Sequence, residues 1–213
     1  MKKVALLIDA EWFRRALYNK LSAHLPKGVT ADVMYRNAML AVASDEEALR
    51  LFCYDSLPHE GKERNPISKK TIDYSTTMGN IVRKRFFEEL GQMELVALRR
   101  GNARPRGWTL QRNYLRALMK ATGSIPAPKG TDIYVAIEQK GVDMRIGIDV
   151  ATLSIKKQVD RIVLFSGDCD MIPAMKLARR EGVQVVLVAV DGRRLSSELI
   201  EDCDIVRKIT PIP

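Results

Sequence analysis

The stretch Arg161-Ile-Val-Leu-Phe-Ser-Gly-Asp-Cys-Asp170 places an apolar, strand-forming run directly before small and acidic residues. A helical pattern follows it, so the segment is predicted to form a strand, a sharp turn and a helix. Open α/β sheets bind ligands outside the carboxyl ends of their strands, where Asp168 and Asp170 fall. Carboxylate oxygens are the donors that hard divalent cations prefer. The two acids are therefore candidate metal ligands.

A second apolar run ends in an acid in the same way. Val4–Ile8 is followed directly by Asp9. If the two strands are parallel neighbours, their carboxyl ends share one edge of the sheet, and Asp9 joins Asp168 and Asp170 there. Three acids meeting at one edge is the strongest functional pattern in the chain.

Two further acids follow the turn-forming sequence around Gly141. Asp143 can open a helix, and an acid in a first helical turn either caps the helix or serves a site. Asp149 lies six residues further on, about a third of a turn away, so it lines an adjacent side. Its apolar neighbours predict partial burial, where a charge needs partners. Asp149 is therefore a supporting residue of the predicted site.

Strand and helix patterns alternate along the chain. Apolar runs without strict alternation favour a parallel sheet covered on both faces, and the βαβ order predicts one open, doubly wound α/β domain over residues 1–213. The predicted strands are Val4–Ile8, Leu49–Tyr54, Glu94–Leu98, Arg161–Phe165 and Val183–Val190. The predicted helices are Glu11–Leu25, Thr76–Gly91, Asp143–Ile155 and Ile172–Glu181.

Two polar stretches interrupt this alternation. Ser56–Pro66 is predicted to be a loop, and a basic loop insertion is predicted at about residues 99–131, with a short helical pattern near 110–120. Long loops inside compact domains are often functional, and both follow predicted strands. They are interpreted as substrate-binding elements, with ordinary surface excursions as the alternative.

The charge balance points to a polyanionic partner. The chain has 213 residues and a net charge of +9, and the segments Lys62–Lys84 and Arg99–Lys129 are rich in basic residues. Basic patches attract polyanions, although a solvated surface is the alternative for any single run. Trp108 and Tyr114 lie among the basic residues of the second stretch. They either stack on nucleobases or anchor the loop. The predicted phosphate-binding residues are Lys69, Lys70, Arg99, Arg100, Arg104 and Arg106.

Several protein classes are unsupported by the sequence. No apolar run is long enough to span a membrane, so no membrane association is expected. The three cysteines lack a CxxC spacing and are expected to be reduced thiols of a cytoplasmic protein. The chain has no glycine-rich nucleotide motif and no recognisable Ser/Cys-His triad. An aspartate-dependent phosphatase or phospho-receiver also carries acids at strand ends, but the Asp-x-Asp pair and the receiver lysine are missing.

The ordered motifs resemble those of NYN-domain proteins of the LabA-like group, within the PIN-like nuclease superfamily. The matching segments are Leu6-Leu-Ile-Asp9-Ala, Gln139-Lys-Gly-Val-Asp143 with Asp149, Ser166-Gly-Asp168-Cys-Asp170, and Leu195-Ser-Ser-Glu-Leu199 ahead of Asp204. The resemblance implies an open parallel sheet of strand order 3-2-1-4-5, activity on RNA, and Mg²⁺ or Mn²⁺ as cofactor. The implied metal-binding and catalytic residues are Asp9, Asp143, Asp168 and Asp170.

Four other residues bear on this site. Ser166 is expected to hold Asp168 or bind a phosphate oxygen, and Lys140 either neutralises the scissile phosphate or is solvated. Members of the family commonly carry Asn three residues after the first Asp, where this chain has Trp12. Glu11 is a candidate to compensate for that Asn. Trp12 itself is either a core residue or a platform for a base.

The predicted activity is metal-dependent hydrolysis of phosphodiester bonds, with RNA as the expected substrate. Two metal ions about 3.5–4 Å apart activate a water and stabilise the leaving oxygen, which requires no histidine. The alternative is a catalytically weak or inactive RNA-binding regulator with the same fold, favoured by Trp12. The sequence leaves open RNA against DNA, endo- against exonucleolytic cleavage, the biological target, and the oligomeric state, including a homodimer.

Overall fold

The computed structural model describes residues 1–26, 28–123 and 126–213. These residues form two compact units. The first comprises Met1–Asp55, Arg85–Gly101 and Gly141–Pro213, and the second comprises Ser56–Lys84 and Asn102–Lys140. Over the described ranges, no helix has both the length and the apolar character needed to cross a bilayer.

Nine strands and seven α-helices make up the described regular structure, apart from short 3₁₀ turns. In chain order the strands are β1 (Lys2–Asp9), β2 (Glu46–Ser56), β3 (Lys62–Arg64), β4 (Thr71–Asp73), β5 (Val96–Leu110), β6 (Ile133–Lys140), β7 (Arg161–Phe165), β8 (Gln184–Val190) and β9 (Ile205–Ile209). The helices are α1 (Ala10–Leu21), α2 (Ala31–Met39), α3 (Met78–Gly91), α4 (Arg112–Lys120), α5 (Val142–Ile155), α6 (Ile172–Arg180) and α7 (Ser197–Glu201).

The first unit is built on a mostly parallel sheet of strand order β5-β2-β1-β7-β8-β9. β1 pairs in parallel with β2 and β7, and β8 pairs in parallel with β7 and β9. The five strands predicted from the sequence correspond to β1, β2, β5, β7 and β8. The implied order 3-2-1-4-5 is therefore confirmed, and β9 extends it by one strand.

Helices cover both faces of this sheet, as predicted. Val4, Leu6 and Ile8 of β1 pack on one side with buried residues of α1 and α2. Ala5 and Leu7, which point to the other face, pack with α5 and α6. A strand buried on both faces must be apolar at every position, which is why β1 shows no polar alternation. The expected α/β class is confirmed.

The second unit corrects the prediction of loops. The segment expected to be a basic loop at about residues 99–131 begins as strand: β5 continues to Leu110 and pairs antiparallel with β6, from Asn102↔Lys140 to Leu110↔Ile133. The register shifts between Pro105 and Trp108, and Gly107 has a φ of +97°. The Pro and Gly that indicated a loop are thus absorbed in a β-bulge. Ser56–Pro66 likewise contains β3, which pairs antiparallel with β4.

A buried ionic cluster in the first unit ties β2 to β7 and β9. The Glu46 carboxylate is buried; its Oε1 accepts a hydrogen bond from Arg161 Nη1 and its Oε2 one from Arg207 Nη1, each at 2.7 Å. Burial alone would raise the pKa of Glu46, but hydrogen bonds from Arg207, the Ala43 N–H and Arg161 lower it to about 2. Glu46 is therefore a carboxylate at all ordinary pH values.

Candidate active site

Asp9 ends β1 and caps α1. The backbone N–H of Trp12 donates to its Oδ1 at 3.0 Å, which satisfies one of the free amides at the helix start. The pKa of Asp9 is raised to about 6, chiefly by burial and further by the negative charges of Asp55, Glu11 and Asp143. The hydrogen bond from Trp12 acts in the opposite direction. Asp9 is thus held in a fixed orientation in a region of excess negative charge.

Asp168 and Asp170 lie on the 3₁₀ turn that follows β7. Oδ1 of Asp168 accepts the backbone N–H of Asp170 at 3.0 Å. The backbone N–H of Asp168 itself donates to Oγ of Ser166, which is buried, at 3.1 Å. Both aspartates are exposed to solvent. The buried Ser166 side chain therefore stabilises the turn, while the carboxylates of Asp168 and Asp170 remain accessible to a ligand.

Asp143 stands in the first turn of α5. The helix begins after Gly141, whose φ of +79° is in the left-handed region, so Asp143 is not the N-cap residue. The pKa of Asp143 is raised by partial desolvation and by the charges of Asp168 and Asp170. Because Asp143 also acts on Asp9, acids from three separate elements share one electrostatic environment.

The donors of this cluster suit a hard divalent cation, because all are carboxylates at one edge of the sheet. Across residues 1–26, 28–123 and 126–213, however, no three His, Cys, Asp or Glu side chains are arranged closely enough to form a ready-made metal site. Mg²⁺ commonly takes only one or two protein carboxylates and completes its shell with water and substrate phosphate. The carboxylates of the cluster therefore fit a divalent cation. Each ion would have fewer protein ligands than in a site that is formed entirely by protein side chains.

Asp55 is a fifth acid near the cluster, and it was not predicted from the sequence. It lies in the buried C-terminal part of β2, is only 2% exposed, and its Oδ2 is 3.6 Å from Nη2 of Arg14. Its charge is the first of the carboxylate charges that raise the pKa of Asp9. The pattern that singled out Asp9, an acid directly after an apolar strand, also applies to Asp55 after Leu49–Tyr54.

Asp149 has the partners that its predicted burial requires. The hydroxyl of Tyr54 donates to Oδ2 of Asp149 at 2.7 Å, and Nε of Arg99 donates to the same oxygen at 2.8 Å. The Arg99 guanidinium also lies over the Phe52 ring, 4.8 Å from its centroid. This network fixes α5 against β2, so Asp149 acts on the helix that carries Asp143. Arg99 is engaged here and is not a free phosphate-binding residue.

The other predicted supporting residues lie in different settings. Glu11 forms an ion pair with Arg15 on the surface of α1. Lys140 belongs to the second unit, where its Nζ is 3.6 Å from Oε2 of Glu138. Trp12 is 9% exposed and is part of the hydrophobic core. It offers no open face to a base, so the core interpretation of Trp12 is correct.

The predicted phosphate-binding residues differ in whether their side chains already have a partner within the protein. Arg106 makes a bidentate pair with Glu138, and Lys69 donates to the carbonyl of Pro66 at 2.7 Å. The Tyr114 hydroxyl donates to the carbonyl of Pro126, which anchors α4. Among all described side chains, the exposed residues of the set that lack a carboxylate within 4 Å are Lys69, Lys70, Arg100 and Arg104. Trp108, close to Arg104 in sequence, is half-buried.

The second unit carries nearly all of the net charge. It holds 13 of the 35 lysines and arginines but only 5 of the 26 aspartates and glutamates, which gives +8 of the total +9. Arg112, Arg116 and Lys120 recur every four residues on one side of α4, and all three are exposed. This stripe was missed, although the spacing was visible within a segment already predicted to be helical.

The profile of the NYN domain matches residues 3–210, nearly the whole chain. The chain belongs to the NYN domain family. NYN domains are part of the PIN-like nuclease superfamily. A search of curated proteins finds no match. Among solved structures, the chain is similar to a protein of unknown function from Vibrio parahaemolyticus RIMD 2210633, with 18% identity, a TM-score of 0.49, and coverage of 98% of this chain and 93% of that one.

Proposed function

We propose that this NYN-domain protein is a metal-dependent ribonuclease whose site is the acid cluster of Asp9, Asp143, Asp168 and Asp170. One observation carries the proposal. Carboxylates from β1, α5 and the turn after β7 share one electrostatic environment. In addition to burial, the charge of Asp143 raises the pKa of Asp9, and the charges of Asp168 and Asp170 raise the pKa of Asp143, a repulsion that a bound cation would relieve. Membership of a family within the PIN-like nucleases supports the same reaction class.

Mg²⁺ or Mn²⁺ is the proposed cofactor, held by one or two of these carboxylates per ion. When bound, such an ion activates a water and stabilises the leaving oxygen of an in-line displacement. The chain itself supplies orientation. Asp9 is fixed by the Trp12 amide, the Asp168 turn is fixed by Ser166, and Tyr54 with Arg99 fixes the helix of Asp143 through Asp149.

RNA is the proposed substrate, with its phosphate backbone bound by the basic second unit. Lys70, Arg104 and the α4 stripe of Arg112, Arg116 and Lys120 are exposed cations that suit this role. Phosphate contacts position a nucleic acid without reading its sequence, and half-buried Trp108 is a proposed stacking residue. Cys53, Cys169 and Cys203 are all free thiols, which agrees with the proposed cytoplasmic setting.

A regulatory protein that binds RNA without cleaving it is the second candidate. Two observations favour it: Trp12 stands where the family commonly has Asn, and the described residues contain no preformed group of three metal-binding side chains. The two candidates share the fold and the basic surface. They differ only in turnover, so a cleavage assay separates them.

The test is cleavage of labelled RNA and DNA with Mg²⁺, with Mn²⁺ and with EDTA. The nuclease predicts cleavage of RNA with metal, none with EDTA, and loss of activity in Asp168→Asn. Asp32→Asn, an exposed acid on α2, is the control and should retain activity. Cleavage that persists in both EDTA and Asp168→Asn would exclude the proposed site. RNA binding with no turnover under any condition would favour the regulator.

A further inference from the structure

Arg193 lies at the same edge of the sheet as the acid cluster. It follows β8, the neighbour of β7, after a turn in which Gly192 has a φ of +83°. Asp9 ends β1, on the other side of β7. The carboxyl ends of three adjacent parallel strands thus bring Arg193 to the edge where the acids stand.

Trp12 fixes the guanidinium of Arg193 in place. The Arg193 Cζ atom is 4.8 Å from the centroid of the indole, and its Nη1 donates to the Trp12 carbonyl at 3.4 Å. The indole is itself wedged in position, because a Cβ on Gly167 would lie 2.2 Å from its Nε1. A buried aromatic ring attracts a guanidinium and holds it in one orientation. The Arg193 side chain therefore loses little further conformational entropy when a ligand binds to it.

The charge of Arg193 is not neutralised by contact. No carboxylate among the described residues lies within 4 Å of its guanidinium, in contrast to Arg99 and Arg106. Its pKa is lowered by burial and by the charge of Arg15, while the charge of Asp9 acts in the opposite direction. A partly desolvated cation therefore stands near Asp9 without forming an ion pair with it.

We propose that Arg193 is a phosphate-binding residue of the acid cluster, with its guanidinium donating to a non-bridging oxygen of an RNA phosphate. A phosphate fits because guanidinium donors match its oxygens bidentately, and because the guanidinium of Arg193 is not already paired with a carboxylate. This inference rests on the proposed action on RNA. It also gives Trp12 a function at this position: the indole is the platform that orients Arg193.

The alternative role of Arg193 is packing alone, as a cover over Trp12. Arg193→Met separates the two roles, because methionine keeps apolar contact with the indole but carries no charge. Arg193→Lys keeps the charge and loses the planar fork. Arg194→Met is the matched control, since Arg194 is the exposed neighbour and its loss changes the net charge equally.

The experiment measures three quantities for the full chain and each variant: the RNA dissociation constant in EDTA, single-turnover cleavage with Mn²⁺, and the melting temperature with and without Mn²⁺. In Arg193→Met we expect about 10-fold weaker RNA binding and about 10- to 100-fold slower cleavage, with an unchanged Mn²⁺-induced shift in melting temperature. Arg193→Lys should recover part of both losses. Arg194→Met should remain within about 2-fold of the parent, as expected for an exposed cation.

The outcomes distinguish this inference from the proposed nuclease. If the parent binds RNA but does not cleave it, and Arg193→Met binds more weakly than Arg194→Met, the nuclease proposal fails and the phosphate-binding role stands. If Arg193→Met binds and cleaves RNA like Arg194→Met, Arg193 only packs on Trp12. A parent that binds no RNA would overturn both proposals.

Discussion

The backbone N–H of Trp12 lies 3.0 Å from Oδ1 of Asp9, so one carboxylate is both the cap of α1 and a proposed metal ligand. The pKa of the same side chain is raised to about 6, chiefly by burial and further by the charges of neighbouring acids. A substitution of Asp9 that tests the effect of its charge must therefore keep the hydrogen bond that caps α1. Asn does so, because Asn and Asp are comparable at N-cap positions, whereas Ala would also lose the cap.

The raised pKa of Asp9 predicts that Asp9→Asn stabilises the metal-free protein at neutral pH. The folded state binds a proton that the unfolded state releases between the ordinary pKa of 3.8 and about 6, so this group lowers stability as pH rises through that window. We expect the free energy of unfolding of Asp9→Asn to exceed that of the parent by about 2–3 kcal/mol at pH 8 in EDTA. The difference should be absent at pH 3.5.

Urea unfolding from pH 3.5 to 8 measures this effect, with Asp32→Asn as the control. Asp32 is an exposed acid of α2 that pairs with Arg36, and its replacement should not reproduce the pH trend. A constant difference between Asp9→Asn and the parent across the whole pH range would show that Asp9 is not held in a destabilised charged form.

Divalent metal should reverse the repulsion within the acid cluster. At a Mn²⁺ concentration of 100 times the dissociation constant, binding adds about 2.7 kcal/mol of stability, which corresponds to about 5–10 °C in melting temperature for a chain of this size. Asp170→Asn should reduce this shift by half or more, and it should leave the melting temperature in EDTA equal or higher. A shift that is the same in Asp170→Asn and the parent would place the metal elsewhere.

The Glu46 cluster predicts a separate loss of stability in acid. Its pKa is lowered from 4.5 to about 2 in the folded state, so its contribution is complete above pH 4.5 and disappears as pH falls towards 2. Glu46→Gln should cost about 3 kcal/mol at pH 7 and progressively less below pH 4.5. Asp45→Asn is the control: its carboxylate is exposed, 3.5 Å from Arg161, and should contribute under about 1 kcal/mol. Equal costs for both variants would contradict the account of this cluster.

The basic stripe of α4 should bind the RNA backbone. Replacing Arg112, Arg116 and Lys120 with Ala should weaken RNA binding at low salt and reduce the slope of log K against log salt by about 2, since each single-strand phosphate contact contributes about 0.7. The control is a triple Ala variant of cations that each pair with a carboxylate in the first unit. These are Arg36, Arg85 and Lys176. If both triple variants show the same slope, α4 makes no specific contribution.

The central sheet was predictable because its strands are buried on both faces. β1, β7 and β8 each contain a continuous apolar run, and the acids that follow two of these runs were found from position alone. β6 was missed, because its side chains are mostly half-buried or exposed and its sequence mixes apolar with polar residues. The distal part of β5 was mistaken for a loop, since Pro105 and Gly107 fit a strand only at the bulge opposite β6.

The candidate site was predictable only where local sequence determines it. Asp9, Asp168 and Asp170 follow strands, and Asp143 follows a turn glycine. By contrast, Arg193 reaches Trp12 across 181 residues of sequence, and no local pattern indicates that contact. Arg99 was predicted to be an unpaired basic residue because its partner Asp149 is 50 residues away in the sequence. Long-range packing decides which charges are neutralised, and the order of the residues along the chain does not.

The most direct test of the acid cluster is an anomalous difference map from crystals of the full chain grown or soaked with Mn²⁺. The account predicts a strong peak at the carboxyl ends of β1 and β7, bound by carboxylates from the set Asp9, Asp143, Asp168 and Asp170. The peak should be absent in crystals of Asp168→Asn treated in the same way. A parent crystal with no peak at this edge, or with its only peak elsewhere, would contradict the proposed metal site.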